Sequence, residues 1–362
     1  MKKSFSKIIR RIVPPRWRED WADYRHFRSL KRESPELIWR VGPRSPQKCV
    51  EAGRVRLGDE LYVLGGYITL GTVSQSINVF NLKKRKWTKT FTLPSTVPQT
   101  HNGWTTDGQR YLFSIAGQLG ANCSPSVASC FAWDTRGHRW AKLPSLPEPR
   151  YMPLVHFYEG RIHVFSGTQC DRTSPAIEHW SLGIKDGQAT ESRWREEQPM
   201  NNARTHTASH IVGDKLYVFG GQKGDVPPVC GDPDFNCDWD STFDEIFDTV
   251  YAYDFKSGCW EALAPMPYKI SHTEYAVVQS GQYVVIAGGV LDRMAMFDAV
   301  LAYNLKHDEW TEIGHLPYPM KSKIVAYHDG CLFLLNGQRS VSQYDLRPGE
   351  VLNSVWVAEL SL

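Results

Sequence analysis

Two sets of polar residues recur in this 362-residue chain at points where the backbone must change direction. The first set comes just before an apolar run: His101, Arg150 with Tyr151, Arg204 with His206, His272 with Glu274, and Lys321 with Lys323. The second follows a glycine: Tyr67, Gln118, Gln169, Gln222, and Gln338 with Arg339. Arginine and lysine pair with carboxylates, and a glutamine amide both donates and accepts. With Glu274 as the one acid among the run entries, the two sets suit an anionic, hydroxyl-rich ligand such as an acidic sugar or a glycan bearing one. Proton transfer on a sugar ring would fall to Glu274, His101, His206 or His272, the catalytic candidates, while Arg150 or Arg204 holds a carboxylate. The competing reading is structural: in a repeat protein, such arginines and histidines tie loops to neighbouring backbone carbonyls.

The elements that must carry these residues are read from internal repetition. Six times an apolar, β-rich run ends in glycine, at Gly66, Gly117, Gly167, Gly221, Gly289 and Gly337. A polar stretch follows each, then a second apolar strand, a tight turn and a tryptophan: Trp87, Trp140, Trp194, Trp260 and Trp310. The sixth tryptophan is found near the start, in Ile38-Trp39-Arg40-Val41-Gly42-Pro43. The pattern predicts an all-β, six-bladed β-propeller of four-stranded units, closed by an N-terminal strand that completes the last blade. Such closure leaves no open sheet edge at the seam. The loop entering each inner strand and the loop joining the second and third strands emerge on one face, so both polar sets surround one channel mouth.

Composition bounds the rest. The chain is 41% apolar and 22% charged with a net charge of +3, which excludes disorder and gives no reason to expect nucleic acid as a partner. No apolar stretch approaches the roughly 20 residues of a membrane-spanning helix. Residues 1–34 form a basic arm ahead of a propeller spanning 35–362; within 1–32, eleven Lys or Arg face three Asp or Glu. Phe5, Ile8, Ile9, Ile12 and Val13 recur at helical spacing, so a short amphipathic helix over residues 1–13 is expected. It either rests at a membrane surface or is a solvated or docked tail. Arg10 and Arg11 break the apolar core that a secretory signal needs. None of the eight cysteines forms a CxxC pair, so no zinc site is expected and free thiols are the default. The fourth unit carries an acidic insertion over about 222–248, read as a solvated lid that the Cys230 and Cys237 pair would staple in an oxidising compartment. It fails the calcium-loop pattern because Cys237 stands where glycine is required.

Several segments carry a resemblance to a known family: AGQLGANC at 116–123, PRYMP at 149–153, EHWSLGIKDGQA at 178–189, WREEQP at 194–199, GGQKGD at 220–225, SHTE at 271–274 and NGQR at 336–339. From about Leu37 onward the chain resembles the kelch-repeat propellers, a superfamily that includes galactose oxidase-like and sialic-acid mutarotase-like proteins, and in particular a group of plant kelch-repeat proteins. The resemblance implies the fold. The loop residues themselves put a binding module for an anionic carbohydrate first and a protein-interaction propeller using the same loop face second; the resemblance to sialic-acid mutarotase-like members adds a sugar mutarotase or epimerase as the third expectation. Neither a cofactor nor a metal is expected, since a copper radical oxidase requires a cross-linked tyrosine set and a further domain. The plant members carry an N-terminal membrane span where this chain shows the basic arm. A cytoplasmic protein, peripheral at a membrane, is therefore expected, with the secretory lumen as the alternative.

Overall fold

The computed structural model of the protein describes residues 37–121, 124–225 and 245–362. The basic arm with its membrane-contact segment, Cys123, and the body of the acidic insertion with Cys230 and Cys237 lie outside the described residues. Among those described, six antiparallel sheets share one plan of four strands side by side, to which the third sheet adds a short extra strand. Blade 1 is Gly53–Leu57, Glu60–Leu64, Ser76–Asn81 and Lys86–Thr92; blade 2 runs from Gly103–Thr106 to Arg139–Leu143. Blade 3 begins with Leu154–Tyr158, blade 4 with Ala208–Val212 and blade 5 with Val277–Ser280. Blade 6 takes Ile324–His328, Cys331–Leu335 and Val355–Glu359 from the C-terminal end and Trp39–Val41 from the other. There Trp39 lies opposite Ala358 and Val41 opposite Trp356, the expected closure by an early strand.

The second strands read as unbroken apolar runs because both of their faces are buried. In Glu60–Leu64, Tyr62 and Leu64 pack into a cluster with Trp104 and Leu112 of blade 2. Leu61 and Val63 point the other way, into a cluster with Phe333 and Leu335 of blade 6. Equivalent clusters join blades 2 and 3, 3 and 4, 4 and 5, and 5 and 6, so burial runs right round the ring. The outer-strand tryptophans reach between blades. The indole N–H donates to a backbone carbonyl at or just past the end of the preceding blade's fourth strand: Trp87 to Pro43 (2.9 Å), Trp194 to Pro144 (2.9 Å), Trp260 to Pro199 (3.1 Å) and Trp310 to Ala264 (3.0 Å). Trp39 does the same to His315 at 2.7 Å, which gives the displaced strand the role of these four counterparts.

Turn chemistry follows the sequence. The Asn or Asp closing the third strand caps the next turn: Asn81 accepts from the Lys84 N–H, Asp254 from Lys256 and Ser257, and Asn304 from Lys306. The glycine ending each second strand is needed for close approach. Gly117 has φ of 95°, and a Cβ there would lie 2.4 Å from the Asn102 Cβ. One cysteine departs from the free-thiol expectation. Cys170 is disulfide-bonded, whereas Cys49, Cys130, Cys259 and Cys331 are free.

Candidate functional site

Six residues at the entries to the inner strands, Glu51, His101, Met152, His206, His272 and Ser322, all adopt left-handed backbone with φ between 46° and 58°. For residues with a Cβ this conformation costs about 1 kcal/mol or more each, and such strain gathers where geometry is over-determined. The residue before each one pairs with the residue after a second-strand glycine: Val50 with Tyr67, Thr100 with Gln118, Tyr151 with Thr168, Thr205 with Gln222, Ser271 with Val290 and Lys321 with Gln338. These pairings bring the two polar sets side by side on one face. They also show that Thr168, not Gln169, occupies the equivalent position in blade 3; Gln169 lies one residue further on and is exposed.

At the centre the four proton-transfer candidates are mutual neighbours. His206 is the hub: its Nδ1 bonds to Glu274, its Nε2 lies 3.0 Å from the Tyr151 hydroxyl, and its ring stacks on His272 at 4.1 Å and meets His101 edge-on at 5.5 Å. The Tyr151 hydroxyl donates to Asp225, which also receives Arg172 Nη2 at 2.5 Å. On the opposite side Glu51 accepts from His101 Nε2 at 2.8 Å, Lys321 Nζ at 3.1 Å and the Ser322 hydroxyl at 3.0 Å. Glu51 and Asp225 correct the expectation that Glu274 is the one acid here. Glu51 was legible in principle: it precedes Gly53 by two residues, as His101 precedes Gly103. Arg172 and Asp225 sit in loops of irregular length and carry no register signal.

The charges offset one another. Burial disfavours the His206 cation, but Glu274, Asp225 and Glu51 outweigh it and raise its pKa to about 10. Burial likewise opposes the Glu51 carboxylate, yet Lys321 and His101 hold it well below the usual carboxylate range; Arg172 and His206 do the same for Asp225. His272, buried beside charged His206 and Lys321, is held well below the ordinary histidine value. Lys323 donates to the Met320 carbonyl at 3.3 Å, and burial pulls it down to about 7. One ligand atom each of Glu51, His101 and His206 lies within 4.8 Å of the others, a spacing that could admit a metal. Those side chains also answer Lys321, Ser322, Tyr151 and Glu274, while the buried Nδ1 of His101 has no hydrogen-bond partner among the described residues.

The arginines of the expected carboxylate clamp stand apart from this centre. Arg150 is buried, bonds to Glu178 (2.6 Å), Glu148 (3.2 Å) and the Pro149 carbonyl, and lies 4.3 Å over the Trp180 ring. Arg204 donates to the Asn202, Gly220 and Thr249 carbonyls. The glutamines brace their own loops: Gln118 to Ser124, Gln222 to Gly224 and Gln338 to Gly349, while Tyr67 donates to Gln118 and Arg339 pairs with Glu350.

Around this polar plug the same face presents apolar side chains to solvent. Leu119, Ile177, Val341 and Tyr344, the last 90% exposed, all lie in loops between second and third strands. Between blades 3 and 4 a groove of about 500 Å³ is lined by Ile177, Arg204, Phe247 and Tyr251, with Lys223 and Glu245 also in its wall. No helix among the described residues is long and apolar enough to cross a membrane.

Comparison with known proteins agrees with this architecture. Residues 104–337 match the KLHDC2/KLHL20/DRC7 Kelch-repeats domain. The chain is 35% identical over 334 residues to the Kelch repeat-containing protein At3g27220 of Arabidopsis thaliana, covering 90% of this chain and 77% of that one. It is 23% identical to the Kelch-like protein terF of Aspergillus terreus over 46% of its own length, and 24% identical to Spermatocyte protein spe-26 of Caenorhabditis elegans over 65%. In those two it spans only 32% and 36% of the relative. Repeat, closure and match converge: the chain belongs to the kelch-repeat propeller family, with plant-type relatives.

Proposed function

We propose that the protein is a protein-binding propeller whose partner docks on the loop face, centred on the groove between blades 3 and 4. Kelch-repeat propellers serve generally as protein-interaction modules. The observation that carries the reading is the grouping of Leu119, Ile177, Val341 and Tyr344 on loops of one face, beside a groove that Ile177, Phe247 and Tyr251 line together with Arg204, Lys223 and Glu245. Exposed apolar side chains on a rigid loop face are a usual mark of an interaction surface. The anionic-sugar alternative needs Arg150 and Arg204 for a carboxylate, and both guanidiniums are engaged by acids or backbone carbonyls.

The test is site-specific photo-crosslinking in the native cell. A photoreactive residue placed at 177 or 344 is compared with one at exposed Gln109, in the hairpin turn of the opposite face. A discrete adduct from 177 and 344 but not from 109, with the captured protein then binding the purified chain and losing affinity on Ile177→Asp, supports the assignment. Adducts of equal yield from position 109, or binding unaffected by Ile177→Asp, would count against it.

A further inference from the structure

Beneath the polar plug the inner strands enclose a cavity of about 260 Å³ on the axis of the ring. Its lining is one-sided in charge. Arg54 and Arg56 come from blade 1, His156 from blade 3, and Ser209 and His210 from blade 4, with Thr105 from blade 2. The one carboxylate in its wall, Glu274, is already bonded to the His206 cation. Among the described residues, neither arginine has a carboxylate within 4.0 Å. Arg54 spends one nitrogen, Nη1, on the carbonyls of Val277 (2.8 Å) and Val325 (2.7 Å), leaving Nε and Nη2 without an acceptor among the described residues. Arg56 donates to Gly58 and Tyr327 and lies 3.1 Å from a His328 nitrogen.

A guanidinium held in a protein interior is ordinarily matched by an anion, because desolvating an unpaired charge is costly. No described residue supplies that anion. We propose that the axial cavity is an oxyanion site, taking inorganic phosphate or sulfate, or the phosphoryl group of a small metabolite, between Arg54, His156 and His210. Donors converge from three blades: the free Arg54 N–H groups, the histidine rings and the Ser209 hydroxyl, which sits 2.8 Å from His156 Nε2. Burial and the mutual charges of these groups keep His156 and His210 neutral, so each presents one N–H rather than a second cation. A forked guanidinium with neutral donors around it matches a tetrahedral oxyanion. The cavity shares no lining residue with the groove of the partner surface proposed above.

The experiment is calorimetric titration of the full chain with inorganic phosphate, sulfate and glycerol phosphate at ionic strength fixed with sodium chloride. Histidine ring NMR spectra are recorded alongside, assigned from the His156→Asn and His210→Asn variants. Saturable binding that moves the His156 and His210 signals, and weakens at least about tenfold in both Arg54→Gln and His210→Phe, is the expected result. Two variants are needed because Arg54→Gln also removes the bonds to Val277 and Val325, whereas His210→Phe leaves them; near-UV circular dichroism confirms that both fold. Tighter binding of glycerol phosphate than of phosphate would assign a phosphorylated metabolite, and the reverse a free ion. A response that tracks ionic strength, leaves both histidine signals in place, or survives either substitution overturns the proposal.

Discussion

Six left-handed residues aimed at one axis build a centre whose value lies in pairing. Glu51 and Lys321 are both buried and bonded at 3.1 Å. Removing one partner leaves the other charge buried alone, which typically costs 3–5 kcal/mol, whereas replacing both is far milder. Glu51→Gln is therefore expected to destabilise the fold by about 3–5 kcal/mol in urea denaturation. The double variant Glu51→Gln, Lys321→Met should recover most of that loss. Equal and additive losses from the two substitutions would show that the pair is not coupled. How much of this centre was legible divides along the same line. His101, His206, His272 and Glu274 fell to the repeat phase, because each stands at a fixed offset from an inner strand. Choosing Gln169 over Thr168 put residue type ahead of register, and the strand-entry pairing shows why register decides. Arg172 and Asp225 reach the centre from loops whose path only tertiary structure fixes.

At the scale of the strand, the tryptophan clasp explains why a chemically bulky residue recurs on the outer, largely exposed strand of each unit. Each of five indoles links one blade to the end of the one before, a hydrogen bond worth about 1 kcal/mol on its own. Trp39 matters more than its bond, because its strand covers the edge of Val355–Glu359 and packs with Trp356, Leu332 and Leu334. This element was legible at sequence level because Ile38-Trp39-Arg40-Val41-Gly42 repeats the form of the other tryptophan strands, though it lies at the other end of the chain. A chain shortened to begin at Pro43 should lose cooperativity in thermal unfolding and form concentration-dependent oligomers in size-exclusion chromatography, since an uncovered strand edge pairs with other chains. A shortened chain that stays monomeric with an unchanged melting temperature would mean the ring is sealed by other contacts. Trp260→Phe, which keeps the packing and removes only the bond to Pro199, should cost about 1 kcal/mol and leave the oligomeric state unchanged.

For the molecule as a whole, the distribution of histidines dictates how stability depends on pH. Burial, the largest cause at each, pushes His156 and His179 down to about 3 and His163 and His210 to about 4, and holds His272 well below its ordinary value. In the unfolded chain all five titrate near 6.5. Because their folded pKa values are depressed, the stability tied to them is complete above about pH 6.5 and drains as pH falls toward 4–3, with a slope of about 1.4 kcal/mol per pH unit for each histidine. His206 runs the other way. Its pKa is raised to about 10, so its contribution is complete below about 6.5 and is lost as pH climbs through 10. Glu51 and Asp225, held low, add a further loss only below about pH 4, where the unfolded carboxyls begin to protonate. The urea midpoint should therefore be highest near pH 6.5, decline gradually above it as the His206 contribution is lost, and fall steeply between about pH 6.5 and 4.5, well above the range of carboxylate titration. His163 Nδ1 and His179 Nε2 share a bond of 2.9 Å, stacked on Phe165, so the pair cannot accept two protons and stay folded. Replacing His179 with Gln removes one of these sites, and the acid limb should become shallower by about 1.4 kcal/mol per pH unit while the decline above pH 6.5 is unchanged. A midpoint flat down to pH 4.5, or an acid limb of unchanged slope in the His179→Gln variant, would mean that the buried histidines do not govern acid unfolding.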